Sequence, residues 1–142
     1  MEYQKRNDTY VFRLDRGEEV MTCLKTLCEK EGIRLAQISA IGAADEAEIG
    51  LYNVEEKEYH KTSLSEEMEI LSILGSATRK EGEVYLHLHA SFGMRDMTVR
   101  GGHLNRCRIS GTCEMFLREI PGELGRKLDG PTGLNVFAFG EE

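Results

Sequence analysis

The segment Val84-Tyr85-Leu86-His87-Leu88-His89-Ala90-Ser91-Phe92 constrains this chain more than any other. Its apolar residues fall at every second position, the period of a strand with one buried face and one open face. Val84, Leu86, Leu88, Ala90 and Phe92 make the core face, which leaves Tyr85, His87, His89 and Ser91 together on the other. Two imidazoles at i and i+2 on one strand face reach a single metal ion. Imidazole suits zinc, nickel, copper or iron.

A third histidine follows in Gly101-Gly102-His103. If Gly93–Met97 form a five-residue hairpin loop, Phe92 opposes Thr98, His87 opposes His103 and His89 opposes Gly101. Directly opposed Cβ atoms lie about 4.5–5.5 Å apart, so the three imidazoles converge. A two-residue slip sets His103 against His89 and keeps the cluster, whereas a one-residue slip turns His103 into the core. Gly101 and Gly102 are expected to leave open space beside the histidines for a ligand, a water or another subunit's backbone.

Two readings fit this cluster. One is a metal site of three histidines with an open fourth position, taking zinc or another divalent transition metal; the other is a hydrogen-bonded polar cluster at a subunit interface. Tyr85, Ser91 and Arg100 are candidate ligand-binding neighbours, and His60, in a charged stretch, is read as incidental. His-x-His on a strand resembles the cupins, but those add a glutamate a few residues on, where this chain has Phe92-Gly93-Met94-Arg95. A metal-dependent enzyme, using a catalytic zinc for hydrolysis or oxidation of an unknown substrate, is a further alternative. With no phosphate loop and no Gly-x-Ser-x-Gly either, the sequence supports no specific reaction.

The remaining pattern predicts an α+β domain, residues 1–142, on a mainly antiparallel sheet. Tyr10–Leu14 reads as a strand, and Asp15 with Glu18 as a capping box opening a helix. Val20, Leu24, Leu27 and Cys28 form that helix's apolar stripe, and Gly32 is its stop signal. Separate strands are expected over residues 35–41, 47–54, 57–64, 70–75, 98–104 and 111–118. Of these, 70–75 reads as a central strand covered on both faces. A short helix or turn is expected around Leu124 and Leu128, with Leu134–Phe139 closing the sheet. Met94 and Met97 are placed on the surface of the hairpin loop.

Charge excludes some functions. The 142 residues carry a formal net charge of −7, against the basic footprint of a duplex-binding domain. The imbalance is uneven: residues 43–69 hold a net −7 and residues 94–118 a net +3. Either these are two solvated strand surfaces, or they dock copies together or hold a small anion. No stretch reaches the roughly 20 apolar residues of a membrane span. The N-terminus lacks an apolar signal core, so a cytoplasmic protein is expected. Cys23, Cys28, Cys107 and Cys113 match no zinc-ribbon or redox spacing and read as reduced, mostly buried thiols.

Glu69–Ser76, His87-Leu88-His89-Ala90 and Gly101-Gly102-His103-Leu104 resemble the PPC (plant and prokaryote conserved) domain family, in its free-standing prokaryotic form. Arg13–Glu19 and Ile38–Ala43 are similar to the family's opening pattern, and the likeness spans roughly residues 8 to 139. The resemblance implies a mainly antiparallel sheet flanked by helices, a homotrimer, and His87, His89 and His103 as a shared site. It also implies a DNA-binding label drawn from plant members. Here the Arg-Gly-Arg-Pro hook those members use in the minor groove is missing, so DNA remains a partner that the charge does not support.

Overall fold

The computed structural model describes residues 1–140. The hairpin β1 (Glu2–Arg6) and β2 (Thr9–Asp15) leads into α1 (Val20–Lys30). Four long strands follow: β3 (Ala36–Asn53), β4 (Glu58–Lys80), β5 (Glu83–Gly93) and β6 (Val99–Glu119). A short hairpin, β7 (Gly125–Leu128) and β8 (Asn135–Ala138), ends the described chain. This is an α+β fold with antiparallel strand pairings, but among the described residues α1 is the one helix, where the family resemblance implied a sheet flanked by helices. The main sheet runs β1-β2-β6-β3-β4-β5, and β5 pairs back onto β6. The strands β3 to β6 therefore close into a ring, which satisfies the edges that an open sheet would leave bare.

The expected breaks between short strands are irregularities inside long ones. Ala36–Asn53 is continuous, with register shifts at Ala40/Gly42 and Ala44/Glu46 in place of the expected turn at Gly42–Asp45. Bulges of this kind bend a strand without ending it. A Cβ on Gly42 would stand 2.3 Å from the Thr112 carbonyl oxygen, so this glycine serves close strand approach, not a turn. Residues 57–64 and 70–75 likewise merge into β4, and 98–104 and 111–118 into β6. Glu66, Glu67 and Glu69 interrupt the apolar pattern of β4 because they stay exposed while the strand runs on.

Residues 70–75 are covered on one face only. Ile70 and Ile73 are buried, but Leu71 and Leu74 are 48% and 55% exposed. At the C-terminus, Leu128 ends a strand, not a helix, and β8 pairs with β7 alone instead of closing the main sheet. Asp129 builds the intervening loop: its carboxylate accepts from the Thr132 backbone N–H at 3.1 Å and hydroxyl at 2.6 Å.

The helix packs its predicted stripe inward, with Val20, Leu24, Leu27 and Cys28 fully buried. Its cap differs from expectation. Glu18 reaches back to the Asp15 N–H at 2.8 Å, closing a turn ahead of the helix, while the Glu19 carboxylate caps Met21 N and Thr22 N. Gly32, at φ +66°, ends the helix, and Ile33 N–H bonds the Cys28 carbonyl at 2.9 Å in a Schellman arrangement. Arg79 of β4 then ties this end down, donating to the Cys28 and Ile33 carbonyls and to Glu29.

The core lies between helix and sheet, with Tyr10, Leu14, Leu24, Ile38, Ile73, Leu88, Phe92, Leu104 and Met115 among its buried side chains. Each fully buried Leu, Ile or Phe contributes about 1.5–3 kcal/mol. Met94, expected on the surface, is buried, and only Met97 projects from its loop. The four cysteines are free thiols. Burial pushes Cys28, Cys107 and Cys113 up to about 12.

Candidate metal centre

The β5–β6 register sets the histidines. Gly93 opposes Val99, Phe92 opposes Arg100 and His89 opposes His103, two residues from the pairing expected of a Gly93–Met97 loop. The loop runs one residue later, closed by Met94 N–H on the Thr98 carbonyl at 2.8 Å. Because the offset is even, His103 keeps its face and the cluster survives. Ring centroids are 5.2 Å apart for His87–His89, 5.3 Å for His87–His103 and 5.7 Å for His89–His103. One nitrogen from each imidazole lies within 4.8 Å of the others, within reach of one ion.

Tyr59 of β4 holds the cluster from the side. It meets His103 edge-on at 5.8 Å, and its hydroxyl accepts from Asn105 Nδ2 at 2.7 Å. It reaches this position across Gly50, where a Cβ would stand 2.2 Å from the tyrosine ring. Sequence alone gave no sign of Tyr59, since it sits in a charged stretch and meets His103 only across the intervening strand β3.

Partial burial holds His87 and His103 below the usual imidazole range, and the neighbouring imidazoles push in the same direction. Both are therefore neutral near pH 7 with lone pairs free for a metal. Gly101 and Gly102 do not provide the open space expected of them. A Cβ on either would stand 2.5 Å from a carbonyl oxygen, of Ala90 and of Gly50 respectively, so they let strands approach. The space lies instead in a cavity of about 750 Å³, bounded by the histidines, Tyr52, Tyr85 and the β7–β8 hairpin.

The structure separates the other predicted neighbours. Tyr85 lines the cavity. Ser91 shares a hydrogen bond with Ser72 at 2.9 Å. Arg100 lies in a different depression, with Glu66 and Arg95. His60 is exposed beside Glu56 at 3.7 Å. Arg126 on β7 lines the cavity and had no signal in the sequence, where its segment read as helix or turn.

The unequal charges largely meet within the chain. Register sets Glu46 opposite Arg108 and Glu48 opposite Arg106. Arg108 pairs with Asp45 at 2.8 Å and with Glu46 at 3.0 Å, and Arg106 stands 3.8 Å from Glu46. Two arginines of the basic stretch are thus committed to acids on the adjacent strand.

Residues 1–121 match the family model of the Plants and Prokaryotes Conserved (PCC) domain. The chain belongs to that family. Among solved structures, it is similar to a metal-containing protein from Archaeoglobus fulgidus at 37% identity and a TM-score of 0.87, covering 97% of this chain and 96% of that one. A plant- and prokaryote-conserved (PPC) protein from Pyrococcus horikoshii shares 34% identity at a TM-score of 0.86, over 99% and 96%. A putative DNA-binding protein from Bacteroides thetaiotaomicron has a TM-score of 0.94 at 28% identity, over 97% and 96%. No curated protein matches the chain. The three histidines fall within the span matched by the PCC family model, whereas β7 and β8 lie beyond it.

Proposed function

We propose that this PCC-domain protein binds a divalent transition metal, zinc by preference, through His87, His89 and His103. The convergence of three imidazole nitrogens within 4.8 Å carries the reading. The donor set fits the ion: neutral nitrogen ligands suit zinc, nickel, copper or iron(II), and their softness disfavours magnesium or calcium. The relative from Archaeoglobus fulgidus, described as metal-containing, supports it. A metal held by three protein ligands supplies a Lewis-acidic position open to water or an oxygen ligand. Around it, His87 and His103 keep their lone pairs free, and Tyr59 orients His103.

The domain assembles as a homotrimer, in keeping with the family resemblance and with apolar side chains left exposed on the sheet. DNA association is the second reading, favoured by the name of the Bacteroides relative. The pairing of Arg106 and Arg108 with acids removes much of the charge that such contact would use.

Metal content of protein purified without a histidine tag tests the first reading, beside His87→Ala/His89→Ala. Near-stoichiometric metal per chain, lost in the double variant at unchanged oligomer size, is the expected result. Protein that stays metal-free after zinc is offered overturns it. A salt titration of duplex binding tests the second reading: a steep fall of log affinity with log salt supports it, and weak, salt-insensitive binding removes it.

A further inference from the structure

The β7–β8 hairpin lies beyond the matched family span, yet it walls the histidine cavity. Its one charged side chain among the cavity residues is Arg126. The guanidinium Nε donates to Thr78 Oγ1 at 3.0 Å, one terminal nitrogen to Ser76 Oγ at 3.2 Å and the other to the Asn135 carbonyl at 3.4 Å. It is stacked between two rings, 4.8 Å from the Tyr85 centroid and 4.2 Å from that of Phe137.

These contacts fix where the charge sits. Ser76 opposes His87 and Thr78 opposes Tyr85 in the β4–β5 register, so Arg126 spans the rungs of His87 and Tyr85 on the histidine face. Its three hydrogen-bond partners are neutral, and among the described residues no carboxylate lies within ion-pairing distance. A guanidinium has five N–H donors, of which these bonds use three. A half-buried cation held by packing, with donors to spare and its charge unmet among the described residues, is an arrangement for receiving an anion. Beside the histidines, Tyr52, Tyr59 and Asn135, the wall carries an apolar side from Leu51, Val54, Leu134 and Val136. The volume of about 750 Å³ lies in the range of small-molecule sites.

We propose that the cavity binds a small carboxylate with an apolar tail, its carboxylate on Arg126 and its tail against the hairpin. The proposal deepens the metal reading, because both place function in this cavity, but Arg126 does not depend on a metal to act. The hairpin then acts as a selectivity element on one side of the histidine cavity.

Calorimetric titration with hexanoate and benzoate tests it, with hexanamide and benzamide as neutral controls of the same shape. The proteins are the wild type, Arg126→Gln and Arg126→Lys, each with its metal content measured. The wild type is expected to bind the acids and not the amides. Arg126→Gln should weaken acid binding about tenfold or more, the loss of a charge-assisted pair, at unchanged metal content and with the fold retained by circular dichroism. Arg126→Lys, which keeps the charge without the fork, should fall between. Acids and amides binding alike, no acid binding at all, or Arg126→Gln binding as the wild type does would each overturn the proposal. Arg126-dependent acid binding by a protein that takes up no metal would sustain it while the metal reading failed. Metal without acid binding would do the reverse.

Discussion

A histidine becomes a metal ligand only while it is neutral, and here the environment of each ring decides when that holds. His87 and His103 both have lowered values, from burial first and neighbouring imidazoles next. The sign follows from linkage. Above the ordinary imidazole value of 6.5, folded and unfolded chains both hold these groups neutral, and pH has no leverage through them. As pH falls below 6.5, the unfolded chain takes up protons first, so the metal-free fold loses stability until the folded groups protonate as well. The melting temperature of metal-free protein should therefore fall between pH 7 and pH 5. In His87→Asn/His103→Asn, which titrates at neither position, that fall should be shallower. Equal slopes in the two proteins would show that these rings do not carry the shift. Bound metal must compete with the same protons, so its retention should fail over the same descent.

Within the elements, what the sequence displays is periodicity, a sound guide in β5 and α1 but not at 70–75, where the outward leucines hid a strand buried on one face only. The alternation of Val84–Phe92 and the stripe of α1 are both present as expected. The same signal is silent where a strand carries exposed residues in succession. Glu2–Arg6 forms β1 with four of its five side chains exposed, and the acids of β4 masked a strand running from Glu58 to Lys80. Glycines mislead for a related reason, since a strand glycine and a turn glycine are the same letter. Strand glycines also differ among themselves, as Gly75 in β4 and Gly111 in β6 show. A Cβ on Gly75 would stand 1.9 Å from the His87 carbonyl oxygen, whereas on Gly111 it would meet the Ala43 Cβ at 3.5 Å, an ordinary contact. Gly75→Ala should push β4 from β5 beside His87, costing about 1–3 kcal/mol or more and disturbing metal retention. Gly111→Ala should leave stability within about 1 kcal/mol of the wild type or raise it. Chemical denaturation of both variants checks this, and equal losses would contradict the contacts.

At the scale of the molecule, sheet closure does what no local pattern announces. It brings Gly50 of β3 and His89 of β5 to opposite sides of His103, and it lines up one outward row across five strands. Val11 opposes Phe116, Phe116 opposes Ser39, Ser39 opposes Leu74, and Leu74 opposes His89, so these side chains share a face. Val11, Phe116 and Leu74 are 39%, 52% and 55% exposed. Ile41, on the same outer side of β3, is also exposed. Exposed Val11, Phe116, Leu74 and Ile41 on one face, with Ser39 between Phe116 and Leu74, are the kind of apolar surface that contact faces use, and a stable contact buries roughly 800 Å² on each partner. In the homotrimer proposed above, that contact would lie beside His89, with the histidine cavity next to the subunit boundary. Light scattering of the wild type should give three chain masses. Leu74→Glu/Phe116→Glu should give one, because each interface would then bury two unpaired carboxylates, whose desolvation outweighs the contact. Since both side chains already face outward, the variant should keep its fold and its circular dichroism. A wild type of one chain mass, or a double variant still at three, would place the apolar row outside any trimer contact and leave the histidine cavity to a single chain.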